Sequence, residues 1–393
     1  MRQGIRLVLL LILTLTASTG LIYVYYPEEA YQEALEKKME LDRQKGIAED
    51  FELVRTIIDG QMLFTEVPSR IKDNHVLIPL RATLQGLNYN INWDNKKRLV
   101  RLEYEGTKMQ FVFDVPEAKI NRKNLDLMIA PMEVQGVSLV PAALLEVLGI
   151  TVSWDENNRV INVDTPNQNA WPFKVSDNSK ITVLMYHEVG DGPNNLFVRD
   201  SEFKEQMKYL WDNNYQVVSM DEALNLLKNN QNVDKCVVIT FDDGYRTFFT
   251  KAWPILREYR FPATVYAISD KCVNNPRYLE WEQMRFLQAN WIDIGSHTKS
   301  HPDLTGLSPE SMADEIAGSK KVFEDNLYYP CRHFCYPGGA LNDKVVKMVE
   351  TAGYESAVTI QNGYASSKNN ILLLPRVRIP RDTAISYFAQ LIK

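Results

Sequence analysis

The chain is 393 residues long, 45% hydrophobic and 24% charged, with a formal net charge of −6. That is ordinary folded composition and enough length for two domains, each with its own core. An acidic balance without a long basic run excludes a nucleic-acid backbone as partner.

The first element is apolar. Arg2 and Arg6 precede residues 7–26, which carry no charge, and a run of about 20 apolar residues can cross a bilayer core as a helix. The basic flank places the remainder outside. A cleaved signal peptide is the rival, with Ala17-Ser18-Thr19-Gly20 as its small-residue site, but the apolar stretch resumes at Leu21 and ends on Tyr25 and Tyr26. The reading is therefore an uncleaved transmembrane anchor over 1–26, with the chain attached to the cell membrane and its other domains extracellular. Residues 27–55 are charged and helix-prone, and read as a stalk.

Residues 56–164 contain a duplication. His75-Val-Leu-Ile-Pro79 followed by Asn92-Trp93-Asp94 recurs as Val137-Ser-Leu-Val-Pro141 followed by Ser153-Trp154-Asp155. Each copy predicts a short strand, a helix started by Pro, a strand ending in Trp-Asp, a turn and a further strand. A shared α+β packing unit is the physical meaning, with the Trp side chains as core. The segment resembles the duplicated amino-terminal domain of copper amine oxidases. It holds no His cluster for copper, so the resemblance implies a stalk or a module contacting cell-wall glycan. Residues 165–180 are polar with two prolines and read as a linker.

From residue 181 to 393 short apolar runs alternate with amphipathic stretches. Strands are expected at 181–185, 216–218, 236–241, 263–267, 292–295, 333–336, 356–358 and 372–377. Helices are expected at 201–213, 221–228, 250–259, 308–326, 342–351 and 383–391. Such alternation implies a parallel α/β fold, and a (β/α) barrel is its usual closed form, with chemistry at the carboxyl ends of the strands.

Four strand ends carry reactive groups. Val-Val-Ile-Thr-Phe-Asp242-Asp243-Gly244-Tyr245 sets two carboxylates together, which is costly unless a cation or proton holds them. Ile292-Asp-Ile-Gly-Ser-His297-Thr-Lys-Ser-His301 offers two imidazoles four apart, a spacing that faces both to one ion on a helical turn. With one Asp they make an N2O donor set open to water and substrate. His333-Phe-Cys-Tyr336-Pro337-Gly338-Gly339 runs into a turn with exposed backbone N–H groups, as an oxyanion needs. Tyr186-His187-Glu188 ends the opening strand of the domain. His75 and His333 lack such context and read as structural or surface residues. The four cysteines, Cys236, Cys272, Cys331 and Cys335, form no Cys-x-x-Cys pair, and Cys236 and Cys335 read as buried free thiols.

Together these motifs resemble the polysaccharide deacetylases of carbohydrate esterase family four, the NodB-homology domain, over residues 181–393. The resemblance implies a distorted barrel in which Asp242 is the general base and Asp243, His297 and His301 bind a divalent metal: zinc first, with cobalt or nickel as alternatives. It implies that Gly338 N–H holds the oxyanion and that Tyr245, Tyr336 and Pro337 touch substrate. No His follows His333, so the early Tyr-His-Glu matches the circularly permuted branch, which includes biofilm poly-N-acetylglucosamine deacetylases, and His187 takes the acid role. The arginine that the family sets beside the base is Cys335 here; Arg376 or Arg378 would replace it. The expected activity is hydrolysis of N-acetyl groups on an extracellular N-acetylglucosamine polymer, with the biofilm polysaccharide favoured and peptidoglycan the alternative. A non-catalytic glycan-binding protein and a metal-dependent esterase or amidase are the readings from other classes.

Overall fold

Cys236-Val-Val-Ile-Thr-Phe241 is an unbroken apolar run with two β-branched pairs, and all six of its residues are buried. A strand like this needs cover on both faces, which parallel sheets wrapped by helices provide. In the computed structural model, the described residues are 52–392 apart from 66, 85–88, 95, 105, 135–136, 166–179, 230–234 and 274. The anchor expected at 1–26, the stalk up to residue 51 and most of the linker lie outside them. Among the described residues, no helix is long and apolar enough to cross a membrane.

The parallel sheet has eight strands, of which seven close on themselves. Around the barrel these are Ile181–Tyr186, Cys236–Phe241, Ala263–Ala267, Ile292–Ser296, His333–Cys335, Ser356–Asn362 and Leu374–Arg378. The last pairs back to the first through Leu184 and Val377. The eighth, Gln216–Val217, lies beside the start of Cys236–Phe241. The strands Cys236–Phe241 and Ala263–Ala267 fall where the apolar runs predict. The helix Trp281–Ala289 is not among those expected; Glu280 and Gln283 form its capping box, which is its start signal.

Two of the expected helices are not regular. Instead of one helix over 250–259 there is a π-helical turn, Phe248–Ala252, leading into Trp253–Tyr259. Likewise 308–326 divides into Pro309–Ala313, a π turn at Asp314–Gly318, and Ser319–Leu327. Periodicity cannot show these insertions, because a π turn adds one residue without changing the apolar face much. Such turns collect at functional sites, and the second one presents Glu315, described below.

The duplicated segment begins earlier than expected. Residues 52–55, assigned to the helical stalk, open the strand Glu52–Ile58, whose Leu-Val-Arg-Thr-Ile-Ile stretch favours extended backbone. The repeats appear as His75–Pro79 with the helix Leu80–Thr83, and Val137–Pro141 with the helix Ala142–Glu146. Their first strands pair antiparallel with each other. Their second halves part: Thr151–Asp155 and Val160–Asp164 join the sheet of Glu52–Ile58, while Asn90–Asp94 and Leu99–Tyr104 start a separate five-stranded meander. Trp93 and Trp154 are half-buried against a core that includes Ile78, Val100, Leu144 and Ile161.

This domain docks where the barrel strands begin. Arg55, on the strand Glu52–Ile58, sends Nη2 to Asp293 Oδ1 at 2.5 Å and Nε to the Gln288 carbonyl at 2.8 Å. Its guanidinium lies between Trp291 and Tyr329, 5.4 and 5.5 Å from their ring centres. Arg332 bonds Asp221 Oδ2 at 3.0 Å and the Asn157 carbonyl at 2.7 Å. The opposite end of the barrel is left open for chemistry.

Candidate active site

Leaving the strand Cys236–Phe241, the chain meets Asp242, still 4% exposed, and then reverses. Asp243 and Gly244 take φ values of 71° and 76°, so the two neighbouring carboxylates face different partners. Gly244 is required twice. Its φ is positive, and a Cβ there would lie 2.8 Å from Ala267 Cβ. Asp243 has no such freedom, and its left-handed conformation costs of the order of 1–3 kcal/mol, the kind of strain that functional sites retain.

Asp242 is gripped by Arg376. Nη1 reaches Oδ1 at 2.6 Å and Nη2 reaches Oδ2 at 2.7 Å, a two-pronged pair in which both side chains are buried. Arg376 is fixed in turn by the Thr359 carbonyl at 2.9 Å and Thr240 Oγ1 at 3.1 Å. Burial alone would push the Asp242 carboxyl up. The charge and hydrogen bonds of Arg376, with His297 and His187 adding to them, more than reverse this and hold it well below the usual carboxylate range. Of the two arginines expected as candidates, Arg376 makes this contact and Arg378 is exposed. Cys335 stands under the guanidinium, its Sγ accepting from Nη2 at 3.3 Å. Among the described residues all four cysteines are buried free thiols.

Asp243 turns to the histidines instead. Its Oδ1 lies 3.6 Å from His297 Nε2 and 3.6 Å from His301 Nε2. The spacing of the two histidines was expected to work through a helical turn. The structure corrects that: residues 297–301 form a loop in which Thr298 and His301 take φ of 68° and 67°. Glu315, on the π turn, shapes this loop. It accepts the Lys299 and Ser300 N–H groups at 2.9 Å each and the Ser300 hydroxyl at 2.6 Å. Thr298 Oγ1 accepts the His301 N–H at 3.0 Å. Imidazole rings 4.7 Å apart result. His297 Nδ1 donates to the Cys335 carbonyl at 2.7 Å, which leaves Nε2 with its lone pair toward Asp243. Burial lowers the His297 pKa, and the two carboxylates only partly offset this, so the ring stays neutral, as a ligand must.

The three donor atoms lie within 4.8 Å of one another. Ligands about 2.0–2.2 Å from a tetrahedral ion stand about 3.3–3.6 Å apart, and the two separations of 3.6 Å from Asp243 suit a divalent metal in this N2O set.

The remaining expected residues divide. His187 follows the strand Ile181–Tyr186, is half-buried, and adds its charge to the field on Asp242. Gly338 sits exposed in the turn Pro337–Gly339 with φ of 57°. Tyr336 and Pro337 were expected to touch substrate, and the structure corrects this. Both are buried, and the Tyr336 hydroxyl donates to the Leu372 carbonyl at 2.9 Å, so they support the Gly turn from beneath. Tyr245 is 8% exposed, stacked on Tyr278 and lying under Arg277. His333 is buried, bonded to Ser356 Oγ and Asp221 at 3.0 Å each. Sequence reasoning missed Glu188, Arg277 and Glu315 as site residues. Glu188 stood in view beside His187. The other two look like solvated charges until the fold brings them in.

Residues 229–357 match the family model for polysaccharide deacetylases, and residues 57–163 match that for the copper amine oxidase N-terminal domain. The first match starts beyond His187 and stops short of Arg376. YxkH of Bacillus subtilis (strain 168), assigned to the polysaccharide deacetylases, is 37% identical over 225 residues, which span 57% of this chain and 80% of that protein. The poly-beta-1,6-N-acetyl-D-glucosamine N-deacetylase of Staphylococcus aureus (strain MSSA476) is 23% identical over 212 residues, covering 51% of this chain and 72% of its own. Among solved structures, the Streptococcus pyogenes deacetylase PplD in complex with acetate is 30% identical with a TM-score of 0.53, over 55% of this chain and 98% of that one.

Proposed function

The chain belongs to the polysaccharide deacetylase family, hydrolases of N-acetylated polysaccharide, and on that premise we propose that Asp243, His297 and His301 hold the divalent metal ion its reaction depends on. Zinc suits the N2O set best. The observation that carries this reading is Asp243 Oδ1 standing 3.6 Å from two imidazole nitrogens while its neighbour Asp242 is locked to Arg376. When bound, the ion supplies Lewis acidity, polarising the acetyl carbonyl and acidifying the attacking water.

The chain's own residues do the rest. Asp242, kept ionised by Arg376, takes the proton of the attacking water. Two of its four lone-pair directions go to the guanidinium, and two remain. Arg376 weakens Asp242 as a base, but it also fixes the carboxylate's direction. Gly338 N–H donates to the developing oxyanion. An amine leaves only when protonated, and His187 is the acid on hand for that step.

For the polymer we favour poly-N-acetylglucosamine, on the placement of His187 ahead of the other motifs and on the relative from Staphylococcus aureus, whose name specifies that substrate. The test is acetate release from poly-β-1,6-N-acetylglucosamine and from peptidoglycan, side by side, before and after chelation and zinc return. Faster release from peptidoglycan would reassign the substrate, and release indifferent to chelation would remove the metal from the reaction. We further propose an extracellular domain held at the membrane by residues 1–26, with residues 56–164 contacting wall glycan; fractionation of cells expressing the full chain checks the first, and pull-down on purified walls the second.

A further inference from the structure

Beside the metal ligands stands a wall that the four motifs do not supply. Glu188 is 3% exposed, and burial raises its carboxyl pKa against the pull of Arg277 and Thr247. Its Oε1 accepts from Arg277 Nη2 at 3.1 Å, and its Oε2 from the Thr247 hydroxyl at 3.4 Å. The Arg277 guanidinium lies 4.8 Å from the Tyr245 ring centre, and Tyr245 stacks on Tyr278 with centroids 5.0 Å apart. Backbone bonds tie the same loop to the Asp242-Asp243-Gly244-Tyr245 turn: Arg246 N–H to the Arg277 carbonyl and Leu279 N–H to the Gly244 carbonyl, both at 2.9 Å. Asp243 acts electrostatically on both Glu188 and Tyr245, so the cluster adjoins the metal ligands.

Arg277 is thus held by an ion pair, an aromatic face and its backbone, yet its side chain is 56% exposed. Nε and Nη1 have no partner among the described residues. A surface arginine gains at most about 1 kcal/mol from its ion pair and ordinarily keeps its rotamer freedom. Holding one in place beside a reaction centre, with the side chain still exposed and two donors to spare, prepares it to bind without a large ordering cost.

We propose that Arg277 is a substrate-binding residue, its Nε and Nη1 donating to hydroxyl or acetyl oxygens of the sugar next to the one being deacetylated. Glu188 and Tyr245 are its supports. Because Glu188 cancels the charge of Arg277, the subsite suits an uncharged N-acetylated sugar. This rests on the deacetylase reading.

The test is kcat and KM for wild type, Arg277→Ala and Arg277→Lys on β-1,6-linked N-acetylglucosamine chains of one to five sugars, with metal content measured in each protein. The deficit of R277A should widen with chain length to about tenfold on the pentamer, appear in KM, and be partly restored in R277K. A deficit of equal size at every length, or one confined to kcat, or a fall in metal content would overturn the assignment and make Arg277 a brace for the metal loop. No deficit at any length would overturn it too. Wild type inactive on every chain would remove the poly-N-acetylglucosamine reading on which this subsite rests, a result distinct from an active wild type with a flat variant series.

Discussion

At one end of the barrel Asp242, Asp243, His297 and His301 meet Arg376; at the other, Asp221, Asp293 and His333 meet Arg55 and Arg332. Each end assembles two carboxylates or more, an imidazole and a buried guanidinium, and each brings three ligand atoms within 4.8 Å. The allotment of arginines separates them. Arg55 takes Asp293, Arg332 takes Asp221, and His333 is already bonded to Asp221 and Ser356. Arg55 and Asn158 of the docked domain line the space left at this end, about 20 Å³, room for little more than a water. At the active end Arg376 takes Asp242 alone and leaves Asp243 to the histidines. Withholding a guanidinium from one carboxylate of two is what leaves Asp243 available to the metal ion proposed above.

Substitutions test that contrast. The largest effect is expected from Asp242→Asn, which should lower turnover by about 10²–10⁴-fold with metal still bound; loss of metal would mean the two acids have exchanged roles. Next, Arg376→Met and Arg55→Met each strand a buried carboxylate, and denaturant unfolding should show about 3–5 kcal/mol of lost stability for each. They should differ in catalysis: R376M loses activity, while R55M keeps kcat within about twofold, since among the described residues the side-chain contacts of Arg55 lie at the far end of the barrel. Equal loss of kcat in both would show that the two ends are coupled. Metal titration should saturate at one ion per chain, and a second ion displaced by mutating Asp293 would break the comparison.

The smallest effect expected is in acid. Burial would raise the Asp221 carboxyl, but His333, Arg332 and Arg55 hold it well below its ordinary value. A carboxyl depressed on folding contributes stability that is whole above its unfolded pKa, near 4, and is lost as pH falls from there toward the folded value. Unfolding measured between pH 6 and pH 3 should therefore show a steeper decline for wild type than for Asp221→Asn, by about 1–2 kcal/mol. A steeper decline in the variant would reverse the sign assigned to Asp221.

Local pattern carried much of this. Apolar runs that end in Asp-Asp-Gly or precede Ser-His located the site strands, because burial and chain reversal leave marks on adjacent residues. The meeting of Asp243, His297 and His301 was legible for that reason, and so was the place of His187 at the end of its strand. What stayed hidden was non-local. Glu315 meets the histidine loop from a π turn that periodicity does not show, and Arg277 meets Glu188 across 89 residues. Tyr336 misled for the opposite reason: its place beside Gly338 suggested contact with substrate, while its hydroxyl is bound inward to Leu372. Arg55 sat in a stretch read as helical stalk, and only the sheet shows it to be the pin between domains.

The pairing of Asp242 with Arg376 spans 134 residues and joins a strand early in the barrel to its last one. Until the strand Leu374–Arg378 docks between its two neighbours, the pocket that would bury Asp242 has no counter-ion and no wall on one side. On the proposed reading, reactivity therefore depends on closure of the ring, through a contact of high sequence separation of the kind that slows folding. With Asp242 as the proposed base, a chain whose ring is still open would carry the proposed catalytic side chains without their working arrangement.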